Sequence, residues 1–517
     1  MAKPISIPAQ QRLMAAKMGD QPLIRYVDHH VSFAEVDEQS DRLAAALAER
    51  GVAKGDRVAL YCINSTEFIV IYSAIIKAGG VVVPVNLMQN PNEISYILND
   101  AEISALFYHP LFQAAVDQVR PQVDSLKFSV VIVGGDALVN DEALADLMLC
   151  NRRPPEINID PLEDLAAILY TSGTTGFPKG AMLTHHNLVA DSGSVNQAFG
   201  FNEGEEVFLV VLPMFHAFAA TVGMLLPLLH GQSFAPLAKF EPKLVSDTIE
   251  KVGATLFLGV PSMFSLFLRF SEKMAPQWQG VRYCITGGSA MPVVVMSAFE
   301  EQFGVPILEG DGPTECSPVT CVNPIVGERK AGSVGLPIPG VDMAILDGKG
   351  KPLADDAMGE VCVRGPTIMK GYWRLPEATE ESLFGEWFRT GDLGYRDSDG
   401  YFYLVDRIKD MIIVNGMNVY PRMIEEVLYR HKQLAEAAVV GEPHDMHGEI
   451  PIAFVVAKEG EQLDPAEIRA FCRDNLGKHQ LPRRVEVLDQ LPRNAAGKVL
   501  KRELRRVGEI ERGIDNR

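Results

Sequence analysis

Tyr170-Thr-Ser-Gly-Thr-Thr-Gly-Phe-Pro-Lys-Gly180 follows directly on an uncharged apolar run, Leu165-Ala-Ala-Ile-Leu169. The run is short and ends in turn chemistry, so it reads as a buried strand. The eleven residues after it hold three glycines, three threonines, one serine and one lysine. Glycines let a backbone turn its N–H groups inward, hydroxyls add donors, and Lys179 adds a positive charge on a flexible stem. Such a loop suits a polyphosphate, although its composition also fits a Gly-rich surface turn. G-x-x-x-x-G-K-[ST] cannot be laid onto Gly173, Gly176, Lys179 and Gly180, which excludes the common nucleoside-triphosphatase loop.

Outward from this stretch, the first 160 or so residues alternate helical and strand patterns. Ser32 with Glu35 three residues on forms a capping box ahead of apolar residues at helical spacing. Arg57–Cys62 and Val81–Val85 read as strands, with an apolar helix over Glu67–Ala78 between them. Strand–helix–strand order with short turns predicts a parallel sheet covered by helices on both faces. Beyond the loop, Thr184 is placed to cap a helix starting at His185, and the adjacent His185 and His186 read as helix-surface residues. Residues 254–258, 281–285 and 306–310 are further strand candidates, each running into a glycine-bearing turn. In doubly wound sheets such turns gather at the carboxyl ends of strands and line one crevice.

From Gly332 the texture changes to short strands and turns, and after Lys409 a compact segment of about 100 residues reads as a small α+β domain. It has helices at Pro421–Tyr429 and Pro465–Leu476, and strands at Ala437–Val440, Ala453–Ala457 and Arg484–Val487. The expected fold class is α/β. A large N-terminal domain over residues 1–408 carries doubly wound sheets and a distorted β-barrel-like subdomain. A small mobile α+β domain spans 409–517.

The 517 residues are 47% hydrophobic and 22% charged, the balance of an ordinary globular protein. A net charge of −19 argues against a nucleic-acid surface. The seven cysteines are scattered and lack a C-x-x-C pair, which suits a reducing compartment and gives no zinc signature. No secretory signal opens the chain, so the expected location is cytoplasmic. Val207–Leu229 carries no formal charge and is long enough to span a bilayer. Pro213, Pro227 and His216 argue instead for a strand, a sharp turn and a buried helix.

Taken singly, the remaining motifs are ambiguous. Glu315, after a Gly-Pro turn, could interact with a helix dipole for about 0.3–1 kcal/mol, or hold a magnesium ion. Asp392 in Thr-Gly-Asp-Leu-Gly could close an Asx turn or bind a ribose diol. Lys498 lies in Pro492-Arg-Asn-Ala-Ala-Gly-Lys498, where a solvent-exposed lysine is the ordinary outcome. His444-Asp-Met-His447 lacks a third ligand and reads as a polar loop.

Together and in order, the phosphate loop, a glycine-bearing purine pocket, the Thr314-Glu315 pair, Thr390-Gly-Asp392, Asp406-Arg-Ile-Lys-Asp410 and the late Pro492…Gly-Lys498 resemble the adenylate-forming superfamily. That superfamily holds acyl- and aryl-CoA synthetases, nonribosomal-peptide adenylation domains and beetle luciferases, and the likeness covers roughly residues 20 to 505. Within it the chain looks like a bacterial fatty acyl-CoA synthetase.

The resemblance implies ATP, Mg2+ and coenzyme A, and two half-reactions. A carboxylate attacks the α-phosphate to give acyl-AMP and pyrophosphate, and CoA thiol then displaces AMP. By position, Thr171, Ser172, Gly173, Thr174, Thr175, Gly176 and Lys179 would wrap the β- and γ-phosphates. Glu315 would hold the metal, with Thr314 near the α-phosphate. Gly288, Ser289 and Ala290 would line the adenine, Glu309, Gly310, Asp311 and Gly312 would also bind ATP, and Asp392 and Arg407 would bind the ribose. Lys498 matches the lysine that bridges carboxylate and α-phosphate. Lys409 matches a hinge whose rotation withdraws Lys498 and brings Val414, Asn415 and Gly416 to line a CoA tunnel. His216 matches the gate between that tunnel and the acyl pocket. One departure stands out: many relatives have an adenine-stacking aromatic where this chain has Asp311.

The expected acyl pocket takes in Phe215, Phe218, Thr221, Met224, Gly259, Met263 and Gly287, with glycines at 223, 259 and 287 leaving room. Its few charges point to a medium- or long-chain fatty acid. The alternatives are an aryl acid of the cinnamate or benzoate type, a ligase that passes acyl-AMP to a carrier protein, and a non-catalytic acyl- or nucleotide-binding protein. The expected partners are a small carboxylic acid, ATP and CoA, without nucleic acid or a transmembrane segment. A peripheral membrane contact and a homodimer are compatible with the sequence.

Overall fold

The computed structural model describes residues 4–132, 141–171, 178–494 and 497–505. Its apolar runs become the strands of two large sheets. In the first, of eight strands, Arg57–Tyr61 lies between Val81–Pro84 and Ile103–Tyr108, and Phe128–Val131 continues the parallel array. Leu165–Thr171 joins this array parallel to Val81–Pro84, then pairs antiparallel with Lys179–Thr184. The strands on either side of the glycine-rich stretch therefore pair antiparallel, with Thr171 opposite Lys179.

The second sheet has nine strands, and its centre is parallel: Ser233–Pro236, Val207–Val210, Leu256–Gly259, Tyr283–Thr286 and Ile307–Asp311. These strands are covered on both faces, so they read as continuous apolar runs without alternation. One hydrophobic cluster spans both sheets and the helices between them, including Phe68, Ile71 and Ile75 of the helix Thr66–Lys77. That helix is buried at every position from residue 68 to residue 77. Lys77 at its end is buried as well, and its ammonium is satisfied by Asp37 at 2.6 Å and Asp41 at 2.7 Å.

A third, antiparallel sheet joins Asp342–Leu346, Gly359–Arg364, Trp387–Arg396 and Phe402–Arg407, with Leu383–Phe384 on Trp387–Arg396. Residues beyond it build a separate five-stranded sheet from Ile412–Val414, Met417–Val419, Leu434–His444, Gly448–Ala457 and Arg484–Val487. The helices Pro421–Tyr429 and Pro465–Asn475 accompany it, and two hydrophobic clusters lie wholly within this segment.

The uncharged stretch from Val207 breaks up into the strand Val207–Val210, a turn at Pro213, a buried π-helix Ala219–Leu225 and the helix Leu226–His230. Among the described residues no helix is long and apolar enough to cross a membrane. The capping box at Ser32 forms, and Thr184 caps the helix His185–Phe199. His185 departs from its expected place on a helix surface. It is 2% exposed, because the helix Ile7–Met18 covers it and the Ile7 N–H donates to its Nδ1.

Candidate active site

The site is assembled where strand ends from both large sheets meet the third sheet. On its first side, Thr171 ends one strand, and its hydroxyl donates to Glu315 Oε1 at 3.2 Å. Glu315 lies in the single turn Thr314–Cys316, which follows the strand Ile307–Asp311. Gly312 is required between them: a Cβ there would meet the Pro318 carbonyl oxygen at 1.9 Å. Lys179, opposite Thr171, places its ammonium 5.1 Å from the centre of the Tyr372 ring. Ser172, Gly173, Thr174, Thr175 and Gly176 lie outside the described residues.

The expected purine wall forms at the ends of Tyr283–Thr286 and Ile307–Asp311. Gly287 is buried with its α-carbon face toward the Gly310 carbonyl, and Gly288, at φ +77°, turns the chain so that Ser289 and Ala290 reach the surface. Glu309 departs from its expected place among the nucleotide contacts. It is 1% exposed, and its Oε1 accepts the Met291 N–H at 2.9 Å, so the side chain holds the 287–291 loop from behind. Burial pushes its pKa up to about 7, against the pull of Arg422.

Four charges gather at the expected ribose position. Arg407 Nε and Asp392 Oδ1 are 2.7 Å apart on paired strands. Burial and the charge of Asp392 push Asp311 up to about 6, while Arg407 and Lys498 pull it back. Burial likewise raises Asp392, opposed by Arg407 and Lys498. Lys498 itself is lowered by desolvation and then by Arg407, against Asp392, Asp311 and Asp410. Asp311 thus belongs to an ionic cluster in this chain, a use of the position that an aromatic ring could not serve.

Lys498 stands on a tight hairpin. Its N–H donates to Asn494 Oδ1 and its carbonyl accepts from the Asn494 N–H, both at 2.9 Å. Arg493 ties the hairpin to Glu436 at 2.9 Å. The hairpin docks on the corner after Leu256–Gly259, where Gly497 faces Val260 and Ser262 with room for no larger side chain. The ammonium has no hydrogen-bond partner among the described residues, and the protein around it partly strips it of water. Its field, after burial, lowers the His216 imidazole to about 4, which keeps that ring neutral at physiological pH.

Phe215 and Met263 are buried, Phe218 half-buried, and Thr221 and Met224 sit on the buried π-helix. The room expected at two glycines is already taken. A Cβ on Gly259 would lie 2.6 Å from Phe257 and 3.1 Å from Phe264, and one on Gly223 would lie 3.0 Å from Val210. Gly259 is a close-approach position in the aromatic core around Trp278, and Gly223 one against the aliphatic Val210 and Leu258.

Lys409 falls in the turn after Phe402–Arg407, beside the Asp410–Arg505 ion pair at 2.6 Å. Val414 is buried, while Asn415 and Gly416, at φ +51° and +78°, make the two-residue hairpin to Met417. Asn415 bonds His447 at 2.9 Å, so this hairpin is tied within its own sheet rather than to the cleft contacts described above. His444 and His447 stack with centroids 4.8 Å apart, and among the described residues no group of His, Cys, Asp and Glu is arranged as a metal cage.

Tyr372 was not signalled by the sequence. It lies on the short strand Gly371–Tyr372 at the edge of the first sheet, and its hydroxyl donates to Glu315 Oε1 at 2.9 Å. Only its place in a Gly-Tyr-Trp run marks it, and that run carries no chemistry of its own.

A family model described as AMP-binding enzyme matches residues 12–373, and one described as AMP-binding enzyme C-terminal domain matches 423–498. The long-chain-fatty-acid–CoA ligase of Bacillus subtilis (strain 168) is 36% identical over 518 residues, covering 95% of this chain and 92% of its own. ATP-bound MatB from Rhodopseudomonas palustris superposes with a TM-score of 0.88 at 32% identity, covering 97% of this chain and 99% of that one. The anthranilate CoA ligase AuaEII, in complex with anthranoyl-AMP, gives 0.89 at 26% identity, with 99% of each chain covered. The fold is thus that of an adenylate-forming ligase. The chain belongs to the AMP-binding enzyme family and is an AMP-forming acid–CoA ligase that uses ATP and CoA.

Proposed function

We propose that this ligase activates a medium- or long-chain fatty acid, with Lys498 supplying the charge for adenylation. The observation that carries the mechanism is the placement of Lys498 among Asp311, Asp392 and Arg407, with its ammonium free of hydrogen bonds among the described residues. A carboxylate attacking the α-phosphate adds negative charge at that centre, and a preorganised cation there stabilises the transition state by roughly a few kcal/mol. Asp392 and Arg407 would hold the ribose, and Lys179 with the residues after Thr171 the outgoing pyrophosphate. Glu315 fits Mg2+, since one carboxylate plus phosphate oxygens is this ion's usual set, and the ion would neutralise phosphate charge. Neutral His216 would gate the acyl pocket without adding a charge beside Lys498.

In the second half-reaction, residues from 409 onward would turn about Lys409 as one domain. That motion would remove Lys498 and present Val414, Asn415 and Gly416 to CoA. The separate sheet and hydrophobic clusters of this segment support such a unit.

The fatty-acid assignment is supported by the uncharged buried wall from Phe215 to Met224 and by the likeness to a long-chain-fatty-acid–CoA ligase. A second candidate, an aryl acid, is favoured by Phe257 and Phe264 filling the space at Gly259, which suits a flatter, shorter substrate. Pyrophosphate release measured with acids from hexanoate to oleate, beside benzoate and cinnamate, separates the two. Highest kcat/KM on an aliphatic acid is expected, and preference for the aryl acids would overturn the assignment.

A further inference from the structure

Tyr372 touches both electrostatic anchors of the phosphate side, Glu315 through its hydroxyl and Lys179 through its ring. The Glu315 carboxylate is used unevenly. Oε1 receives Tyr372 Oη at 2.9 Å and Thr171 Oγ1 at 3.2 Å, while Oε2 has no hydrogen-bond partner among the described residues. An ionised carboxylate oxygen offers about two lone-pair directions, so two hydroxyl donors saturate Oε1. They leave Oε2 as the one oxygen open to a cation.

We infer that Tyr372 is a positioning residue that makes Glu315 a one-oxygen metal ligand and so favours Mg2+ over Ca2+ at this site. This rests on the reading of Glu315 as the metal carboxylate. Mg2+ demands near-octahedral geometry and takes carboxylates through one oxygen, whereas Ca2+ accepts larger, irregular shells in which both oxygens of a carboxylate can bind. A donor on Oε1 blocks the two-oxygen mode and fixes the carboxylate plane. The same ring lies beneath the Lys179 ammonium, where a cation–π contact holds that lysine on the strand opposite Thr171. Metal and phosphate groups are thereby registered to one another by a single side chain from a third strand.

The test is calorimetric titration of the full-length protein with α,β-methylene-ATP, whose scissile linkage cannot be cleaved, in Mg2+, in Ca2+ and without metal. Tyr372→Phe keeps the ring and removes only the donor. It should bind the metal-free analogue as the native protein does, lose about tenfold in Mg2+ affinity, and narrow the Mg2+/Ca2+ ratio. Thr171→Val removes the other donor on the same oxygen and should shift the ratio in the same direction, which covers the case of a Tyr372 variant that fails to fold. A native Mg2+/Ca2+ ratio in a folded Tyr372→Phe protein overturns the inference. Glu315→Gln separates this result from the reading beneath it. If that variant keeps its metal dependence, Glu315 is not the ligand. If it loses metal dependence while Tyr372→Phe keeps the native ratio, only the role of Tyr372 fails.

Discussion

The two sides of the cleft are held in different ways. On one side Glu315, Thr171, Lys179 and Tyr372 come from separate strands and a turn, and hydrogen bonds and a ring contact lock them to each other. On the other side Lys498 stands on a short hairpin that is braced internally by Asn494 and Arg493, and its ammonium is held by field alone. A group anchored through its own side chain has to stay. A group anchored only through its backbone can be delivered and withdrawn. In the proposed mechanism the phosphate side would act as a fixed mould and the lysine side as a removable tool.

The largest effect expected from breaking this contrast is at the tool. Lys498→Ala should lower pyrophosphate release by about 100- to 1,000-fold, read in a coupled phosphate assay, because nothing else among the described residues brings a free ammonium to that point. Lys409→Pro should then sharpen it: by stiffening the proposed hinge, it should slow CoA-dependent AMP release about tenfold while pyrophosphate release falls much less. Equal slowing of both would place the hinge elsewhere.

Glu309 is buried behind the expected purine wall, within the field of Arg422 from the following segment. Its pKa in the folded protein is raised to about 7, so the folded state holds its proton more tightly than the unfolded chain does. The stability it contributes is full below the ordinary carboxylate range and is lost as pH rises toward about 7. Glu309→Gln should therefore gain on the native protein between pH 5 and pH 8, by on the order of 1–3 kcal/mol in urea melts. A constant difference across that range would contradict the assignment. The smallest effect tests whether the last segment melts by itself. Asp464 caps the helix Pro465–Asn475 through the Ala466 N–H at 2.8 Å. Asp464→Ala should cost about 1 kcal/mol, confined to amides after residue 411 in hydrogen exchange.

Much of this architecture could be read from local pattern. Pro421–Tyr429 and Arg484–Val487 appear at the bounds their apolar spacing indicates, and the Ser32 and Thr184 caps form. What local pattern could not show is which face of an element another element covers. Glu309 lies in a strand buried on both faces, so no alternation marks where its carboxylate points. His185 reads as helix surface until a helix from the start of the chain is laid over it. Gly259 reads as open space until Phe264 fills it. Tyr372 meets Glu315 across 57 residues and through two sheets, a pairing no spacing rule encodes. Lys498 is a candidate site residue in the sequence only through the family resemblance, since a lysine in a Gly-bearing loop is otherwise unremarked.

The removable-tool account is tested most directly by running the two half-reactions of Lys498→Ala separately. With acid and ATP, pyrophosphate release should be nearly abolished. With acyl-AMP supplied in place of acid and ATP, thioester formation with CoA should proceed close to the native rate. An equal loss in both would mean that Lys498 stays in the cleft throughout, and the distinction between mould and tool would fail.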